Sequence, residues 1–124
     1  MAAKLSPQQQ VRFAWLNTLP PKFARIRKGI ELLSTNHADD NSVRSLIKLL
    51  GELKAQAGGL SVSSLAETFG YMETLLRRGG GQQLKVRGLG ELLGSATINY
   101  EGAVREATTP EQHLEAETGE PATP

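Results

Sequence analysis

Apolar residues recur at three- and four-residue intervals along most of this chain, and this spacing limits what it can fold into. The interval matches one face of an α-helix, and no segment shows the sustained alternation of a half-buried strand. The clearest case is segment 43–60, whose apolar stripe spans about five helical turns. Its members are Val43, Leu46, Ile47, Leu50, Leu53, Ala57 and Leu60. The sequence therefore predicts an all-α fold.

Capping residues, prolines and glycines divide the first half of the chain into three helices. Ser6 and Pro7 are typical of an N-cap and a first helical residue, and they begin a short helix. Pro20–Pro21 then breaks or kinks the chain, because proline cannot donate a hydrogen bond to the preceding turn. After the polar turn 34–41, the residues Asp39 to Ser42 can all cap a third helix, which Gly58–Gly59 weakens or ends.

Two further helices are expected in the second half. Ser61 and Ser63–Ser64 offer N-caps for the fourth helix, and Glu67 lies where a capping box would place it. Gly79–Gly80–Gly81 stops that helix. We expect a fifth helix from about Leu84 to Ala107, irregular in its first half because each of three glycines costs about 1 kcal/mol relative to alanine. These are Gly88, Gly90 and Gly94.

Each of these other helices has an apolar face expected to point inward. The predicted members are Val11, Ala14, Trp15 and Leu19; Phe23, Ile26, Ile30 and Leu33; Leu65, Phe69, Met72, Leu75 and Leu76; and Leu89, Leu92, Leu93, Ala96 and Val104. Amphipathic helices with short connections favour an antiparallel up-and-down four-helix bundle, here with an extra short N-terminal helix across one end. We expect the bundle to occupy residues 6–107. Residues 108–124, with three prolines and four glutamates, are expected to be a disordered tail or a linker to a downstream domain.

Composition argues against several classes of chemistry. The chain has no cysteine, which removes disulfides, thiolate catalysis and the common zinc motifs. Its two histidines, His37 and His113, have no second ligand at metal-binding spacing, so we predict no cofactor, no metal and no enzymatic activity. The net charge of +1 does not indicate nucleic acid or an anionic membrane as a partner. Without a membrane-spanning run or a signal-peptide core, the expected location is the cytoplasm.

The third helix carries a distinctive flank beside its apolar stripe. At about 100° per residue, one face collects basic residues around a hollow of small ones. The candidate binding residues on it are Arg44, Lys48, Gly51, Lys54, Ala55 and Gly58. Taken alone, this pattern also fits a solvated helix edge.

The order of residues on this helix resembles the histidine phosphotransfer (Hpt) domain family. The family motif His-x-Leu-Lys-Gly-x-Ala corresponds to Gly51-Glu52-Leu53-Lys54-Ala55-Gln56-Ala57. Upstream, Phe13 to Leu19, Pro20–Pro21 and Phe23 to Leu33 are similar to the first helices of the family. The resemblance covers about residues 6–105.

The resemblance implies a docking module that does no phosphate chemistry. Gly51 stands where the family has its phosphorylated histidine, while the lysine that stabilises the phosphoryl group corresponds to Lys54. In the family, the helices equivalent to the third and fourth here dock on a receiver domain. We therefore expect a pseudo-Hpt domain that binds a response-regulator receiver domain or a histidine kinase. Two alternatives stay open: a helical interaction or oligomerisation domain unrelated to phosphorelay, and the regulatory N-terminal domain of a larger signalling protein.

Overall fold

The computed structural model of the protein describes residues 4–78 and 80–110, and five helices account for most of them. They are α1 (Pro7–Leu16), α2 (Leu19–Ser34), α3 (Asp40–Gly59), α4 (Ser63–Arg77) and α5 (Gln82–Thr108). The described residues contain no strand. The predicted all-α class is confirmed.

The four long helices pack against each other in a ring, each antiparallel to its neighbours. At one end, Phe23 in α2 makes an edge-on contact with Tyr100 in α5, with the ring centroids 5.5 Å apart. At the other end, the side chain of Gln82 at the start of α5 donates to the carbonyl of Leu33 in α2. The contact between α3 and α4 is the most extensive, and that between α2 and α3 is the least extensive of the ring.

The core lies between these four helices and consists mainly of the predicted inward faces. Its largest fully buried side chains are Phe69, Leu16, Leu19, Ile26, Leu50, Leu53, Leu65, Met72 and Leu89. The faces predicted for α2, α3 and α4 are buried or partly buried throughout. Leu49 joins the core as well, so the apolar face of α3 is wider than its predicted stripe.

The face predicted for α1 is only partly correct, because Trp15 packs against the core whereas two other predicted residues do not. Val11 is 55% exposed and Ala14 is also exposed, whereas Leu16 is completely buried and Gln9 is 3% exposed. Leu19, although buried, belongs to α2. The inward face of α1 is built from polar and apolar residues together, so the apolar pattern alone misses Gln9 and Leu16.

Two of the predicted helix starts are confirmed by their caps. The hydroxyl of Ser6 accepts from the amide of Gln9, and the Gln9 side chain accepts from the amide of Ser6, which completes a capping box. At α3, the Asp39 carboxylate accepts from the amide of Ser42 at 2.7 Å. The pKa of Asp39 is lowered, chiefly because that backbone amide stabilises the charged carboxylate.

Two other boundary predictions are corrected. The break near the prolines falls at Asn17–Thr18, and Pro20 and Pro21 lie inside the first turn of α2, where a missing amide hydrogen costs nothing. The N-cap of α4 is Val62, without a side-chain cap, rather than Ser61, Ser63 or Ser64. A tight reversal fixes this start instead: Ser61 has a left-handed φ of 61°, and the Val62 amide donates to the carbonyl of Ala57 at 2.8 Å.

Helix α5 is continuous from Gln82 to Thr108, so the irregular first half that its glycines predicted is absent. Gly88 allows close packing, since a Cβ there would lie 2.6 Å from Cδ2 of Leu75 in α4 and would force that side chain to shift. Gly90 and Gly94 have open space around them. Packing against α2 and α4 holds the helix together despite its weak intrinsic propensity.

Candidate functional site

The structure places the predicted binding residues together on the outer side of α3. Five of them are exposed, and Gly51 at their centre is half-buried. We call these six residues the α3 strip: Arg44, Lys48, Gly51, Lys54, Ala55 and Gly58. The strip follows α3 for about four turns and borders α4 along one side.

A carboxylate from α4 lies directly beside Gly51. A Cβ at position 51 would lie 3.2 Å from Oε2 of Glu73, so the notch left by the glycine is lined by an acidic group. The same oxygen accepts a hydrogen bond from the guanidinium of Arg77 one turn later, at 3.2 Å. The Glu73 side chain is only 19% exposed, compared with 63% for Arg77, so the carboxylate is held in the α3–α4 seam.

The same arrangement occurs in reverse one turn along the seam. Gly70 of α4 lies beneath the side chain of Lys54, since a Cβ at position 70 would lie 3.4 Å from both Cδ and Cε of that lysine. The ammonium nitrogen Nζ is 3.8 Å from the same point. Each helix thus has a glycine beneath a charged side chain of the other helix. Lys54, predicted to face a partner, also leans across α4.

Sequence reasoning missed Glu73, Arg77 and Gly70 as parts of this surface. All three lie on one face of α4, because their spacings of three, four and seven residues match the helical repeat. That periodic signal was present in the sequence. Which residues of α3 this polar stripe lies beside depends on how α3 and α4 pack, and helical periodicity does not encode that packing.

The first helix closes one end of the α3 strip. The Trp15 indole nitrogen donates to Oε1 of Gln56 in α3 at 2.9 Å. The guanidinium nitrogen Nε of Arg12 donates to the carbonyl of Leu60, just beyond α3, at 2.8 Å. This bond satisfies a carbonyl that helix geometry leaves without a partner. Two aromatic residues of α1, Phe13 and Trp15, are half-buried, whereas Tyr71 of α4 is 62% exposed.

The remaining candidates form no site with the strip. His37 is exposed, with Nδ1 2.8 Å from the hydroxyl of Thr35, and His113 and the predicted tail from 111 onward lie outside the described residues. Within residues 4–78 and 80–110 there is no group of three side chains that could hold a metal ion. None of the helices described is both long and apolar enough to cross a bilayer. Comparison with protein-family models, with curated proteins and with solved structures gave no match for this chain.

Proposed function

We propose that this protein is a non-catalytic, Hpt-like signalling module that docks a response-regulator receiver domain, or a histidine-kinase component, through the α3 strip. One observation carries the proposal. A half-buried glycine lies at the centre of an outward helix face, with exposed cations above and below it. By the resemblance in the sequence, this glycine corresponds to the phosphorylated histidine of the Hpt family.

Phosphate transfer through this surface is not part of the proposal, because position 51 offers no nucleophile. The neighbouring Glu52 is exposed but points about 100° further round the helix, away from Gly51. Glu73 is engaged by Arg77. The module would therefore act as an adaptor or a competitor, occupying the partner without receiving its phosphoryl group.

The charges of the strip define what a partner must supply. Arg44, Lys48 and Lys54 give the rim a positive potential that attracts an acidic surface and increases the association rate. The small residues Gly51, Ala55 and Gly58 let a partner approach the backbone of α3 closely. Glu73 places one negative charge within this surface, which disfavours a partner whose own carboxylate would enter the notch.

A binding screen tests the docking. We expect at least one receiver domain from the same genome to bind the full chain and Lys48→Glu to weaken that binding about tenfold, mainly by slowing association. Lys85→Glu, on the first turns of α5, is the matched control with the same charge change. Surface plasmon resonance at two salt concentrations separates the rates. If no receiver binds, or if both variants weaken binding equally, the α3 strip is not the docking surface.

Restoring the missing side chain tests the Hpt resemblance directly. We expect Gly51→His to accept an acid-labile phosphoryl label from a phosphorylated receiver, while the natural sequence does not. The substitution needs Glu73 to move by a few tenths of an ångström, because its Oε2 lies 3.2 Å from the new Cβ. Gly58→His is the control, since Gly58 shares the same face and has open space around it.

The outcomes of the labelling experiment are distinct. Label on Gly51→His alone supports the proposal. Label on the natural sequence would reveal transfer through another residue and contradict the non-catalytic assignment. Failure of Gly51→His to accept any label from a receiver that binds it would remove the Hpt resemblance as a guide to function.

A further inference from the structure

The small net charge of the chain hides a strong separation of charge along it. Residues 4–110 contain all 14 Lys and Arg but only nine of the 13 Asp and Glu, which leaves a net charge of +5. Residues 111–124 contain the other four acidic residues and no Lys or Arg, a net charge of −4 with His113 neutral. The acidic residues are Glu111, Glu115, Glu117 and Glu120. The bundle therefore has a cationic surface and is followed by an anionic segment.

The densest cationic surface lies on α2. Lys22, Arg25, Arg27 and Lys28 fall within seven residues, and Glu31 is the only acidic residue of that helix. Three of these cations are exposed and Lys22 is half-buried. The only ion pair within residues 4–78 and 80–110 is Arg77–Glu73 on α4, so no described carboxylate neutralises this cluster by direct contact.

A groove runs beside this cluster, between α2 and α3. It has a volume of about 400 Å³ and is bordered by Arg25 and Lys28. Leu32, Leu46 and Leu49 contribute apolar side chains to its wall. It exists because α2 and α3 make the least extensive contact in the ring. The two cations on its border face solvent, where an acidic chain can reach them.

The acidic segment begins at the correct end of the bundle to reach α2. Phe23, near the start of α2, contacts Tyr100, and α5 continues from there to Thr108. Since a helix rises about 1.5 Å per residue, Thr109 lies roughly 14 Å beyond the level of Phe23. Allowing about 10 Å between helix axes, Arg25 is roughly 20 Å away. The seven residue-to-residue steps from Pro110 to Glu117 can span about 24 Å, which is sufficient.

We propose that residues 111–120 bind back onto the basic cluster of α2, with Glu115, Glu117 and Glu120 facing Lys22, Arg25 and Lys28. Covalent attachment gives such a segment an effective concentration in the millimolar range, which compensates for weak individual contacts. The basic cluster is on α2, so the proposal stands or falls separately from receiver docking on the α3 strip.

Paramagnetic relaxation measures this contact in the full chain. The protein has no cysteine, so Ala116→Cys provides a single site for a nitroxide label between the glutamates. At low salt we expect the amide signals of residues 22–28 to lose intensity selectively, compared with those of α4. The loss should disappear at roughly 0.5 M salt, where the Debye length falls to a few ångströms.

Two sets of variants decide the outcome. Replacing Glu115, Glu117 and Glu120 with Gln should abolish the intensity loss, as should Arg25→Glu with Lys28→Glu. Lys85→Glu with Arg87→Glu, at the opposite end of the bundle, makes the same change in net charge and should leave the effect intact. Broadening that is uniform, that falls on another helix, or that survives the Gln substitutions would overturn the proposal.

Discussion

Glycines have three different structural roles in this small protein. Gly51 and Gly70 lie beneath charged side chains from the facing helix, and Gly88 lets α4 and α5 approach closely. Gly90, two residues later on α5, has no neighbour that requires it. The same residue type therefore marks a surface notch, a packing contact and an unconstrained position. Only the packed structure distinguishes them.

Substituting two glycines of α5 should have opposite effects on stability. Gly90→Ala is expected to raise the free energy of unfolding by up to about 1 kcal/mol, because alanine favours helix and finds open space there. Gly88→Ala should lower it by about 1 kcal/mol, since a methyl 2.6 Å from Cδ2 of Leu75 forces that side chain to move. Urea unfolding of both variants measures the difference. Equal effects would show that Leu75 relaxes freely.

The N-cap of α3 predicts a pH dependence. Because the pKa of Asp39 is lowered in the folded protein, its contribution to stability is complete above the usual carboxyl pKa of 3.8. The contribution disappears as the pH falls through the lowered folded value. Asp39→Asn keeps a capping oxygen without a titrating group, so its stability should fall less steeply below pH 3.8 than that of the natural protein. Thermal unfolding across the acid range measures the slopes, and parallel slopes would contradict the prediction.

At the level of single residues, the sequence indicates which side chains face outward on α3 but not what lies next to them. Gly51 and the cations follow from helical periodicity alone. The carboxylate of Glu73 does not, because its position beside Gly51 depends on the antiparallel register of α3 and α4. The contacts that hold the two ends of α1 likewise depend on how the helices pack.

Helix α1 is anchored at both of its ends rather than along an apolar stripe. The buried side chain of Gln9 donates from Nε2 to the carbonyl of Glu106 at 3.0 Å and to the carbonyl of Thr109. The side-chain oxygen Oε1 of Gln9 at the same time accepts from the amide of Ser6 and so caps the start of α1. At the other end, Leu16 is fully buried. One glutamine amide therefore completes both the beginning of α1 and the end of α5.

Removing that amide should destabilise the protein markedly. We expect Gln9→Ala to cost about 1–3 kcal/mol, because the carbonyls of Glu106 and Thr109 both lose the Gln9 donor and the capping box is broken. Gln8→Ala is the control, since Gln8 is exposed on the same turn. Trp15 is the only tryptophan and reports on α1 through its fluorescence. A Gln9→Ala protein as stable as the Gln8→Ala control would show that water replaces the lost bonds.

The helices should also differ in how they open. The α3–α4 contact is the most extensive in the bundle, so amides there are expected to exchange with deuterium only through global unfolding. Amides of α1 should exchange faster through local opening, because few apolar side chains hold it. Native-state hydrogen exchange at low denaturant gives the two free energies. Equal protection of α1 and α3 would contradict this order.

Helix existence was predictable for this chain because its apolar periodicity is strong, whereas helix boundaries and faces were predictable only where local chemistry decides them. Ser6 and Asp39 cap through their own side chains, and both were identified. The start of α4 depends on the left-handed Ser61 and on the bond from the Val62 amide to the carbonyl of Ala57, and no capping pattern predicts either. The face of α1 depends on a buried glutamine. In each failure a tertiary contact outweighed the local pattern.

At the scale of the whole molecule, charge distribution matters more than net charge. The sum of +1 argues against a strong global field, yet it combines a bundle of +5 with a terminal segment of −4. Association with a charged partner therefore depends on which part of the chain the partner meets. A single number for the chain cannot express this, although counting by segment recovers it from the sequence.

The bond between Gln9 and the end of α5 also orders events during synthesis. Gln9 leaves the ribosome well before its two carbonyl partners, which lie 97 and 100 residues later in the chain. Translation adds about 5–20 residues per second, so α1 waits on the order of 5–20 seconds for those partners. The bonds of α1 to Gln56 and Leu60 can form earlier, so those of Gln9 to α5 are the last of its side-chain bonds to form. The contact of Gln9 with Glu106 and Thr109 can therefore form only after nearly all of the bundle has emerged.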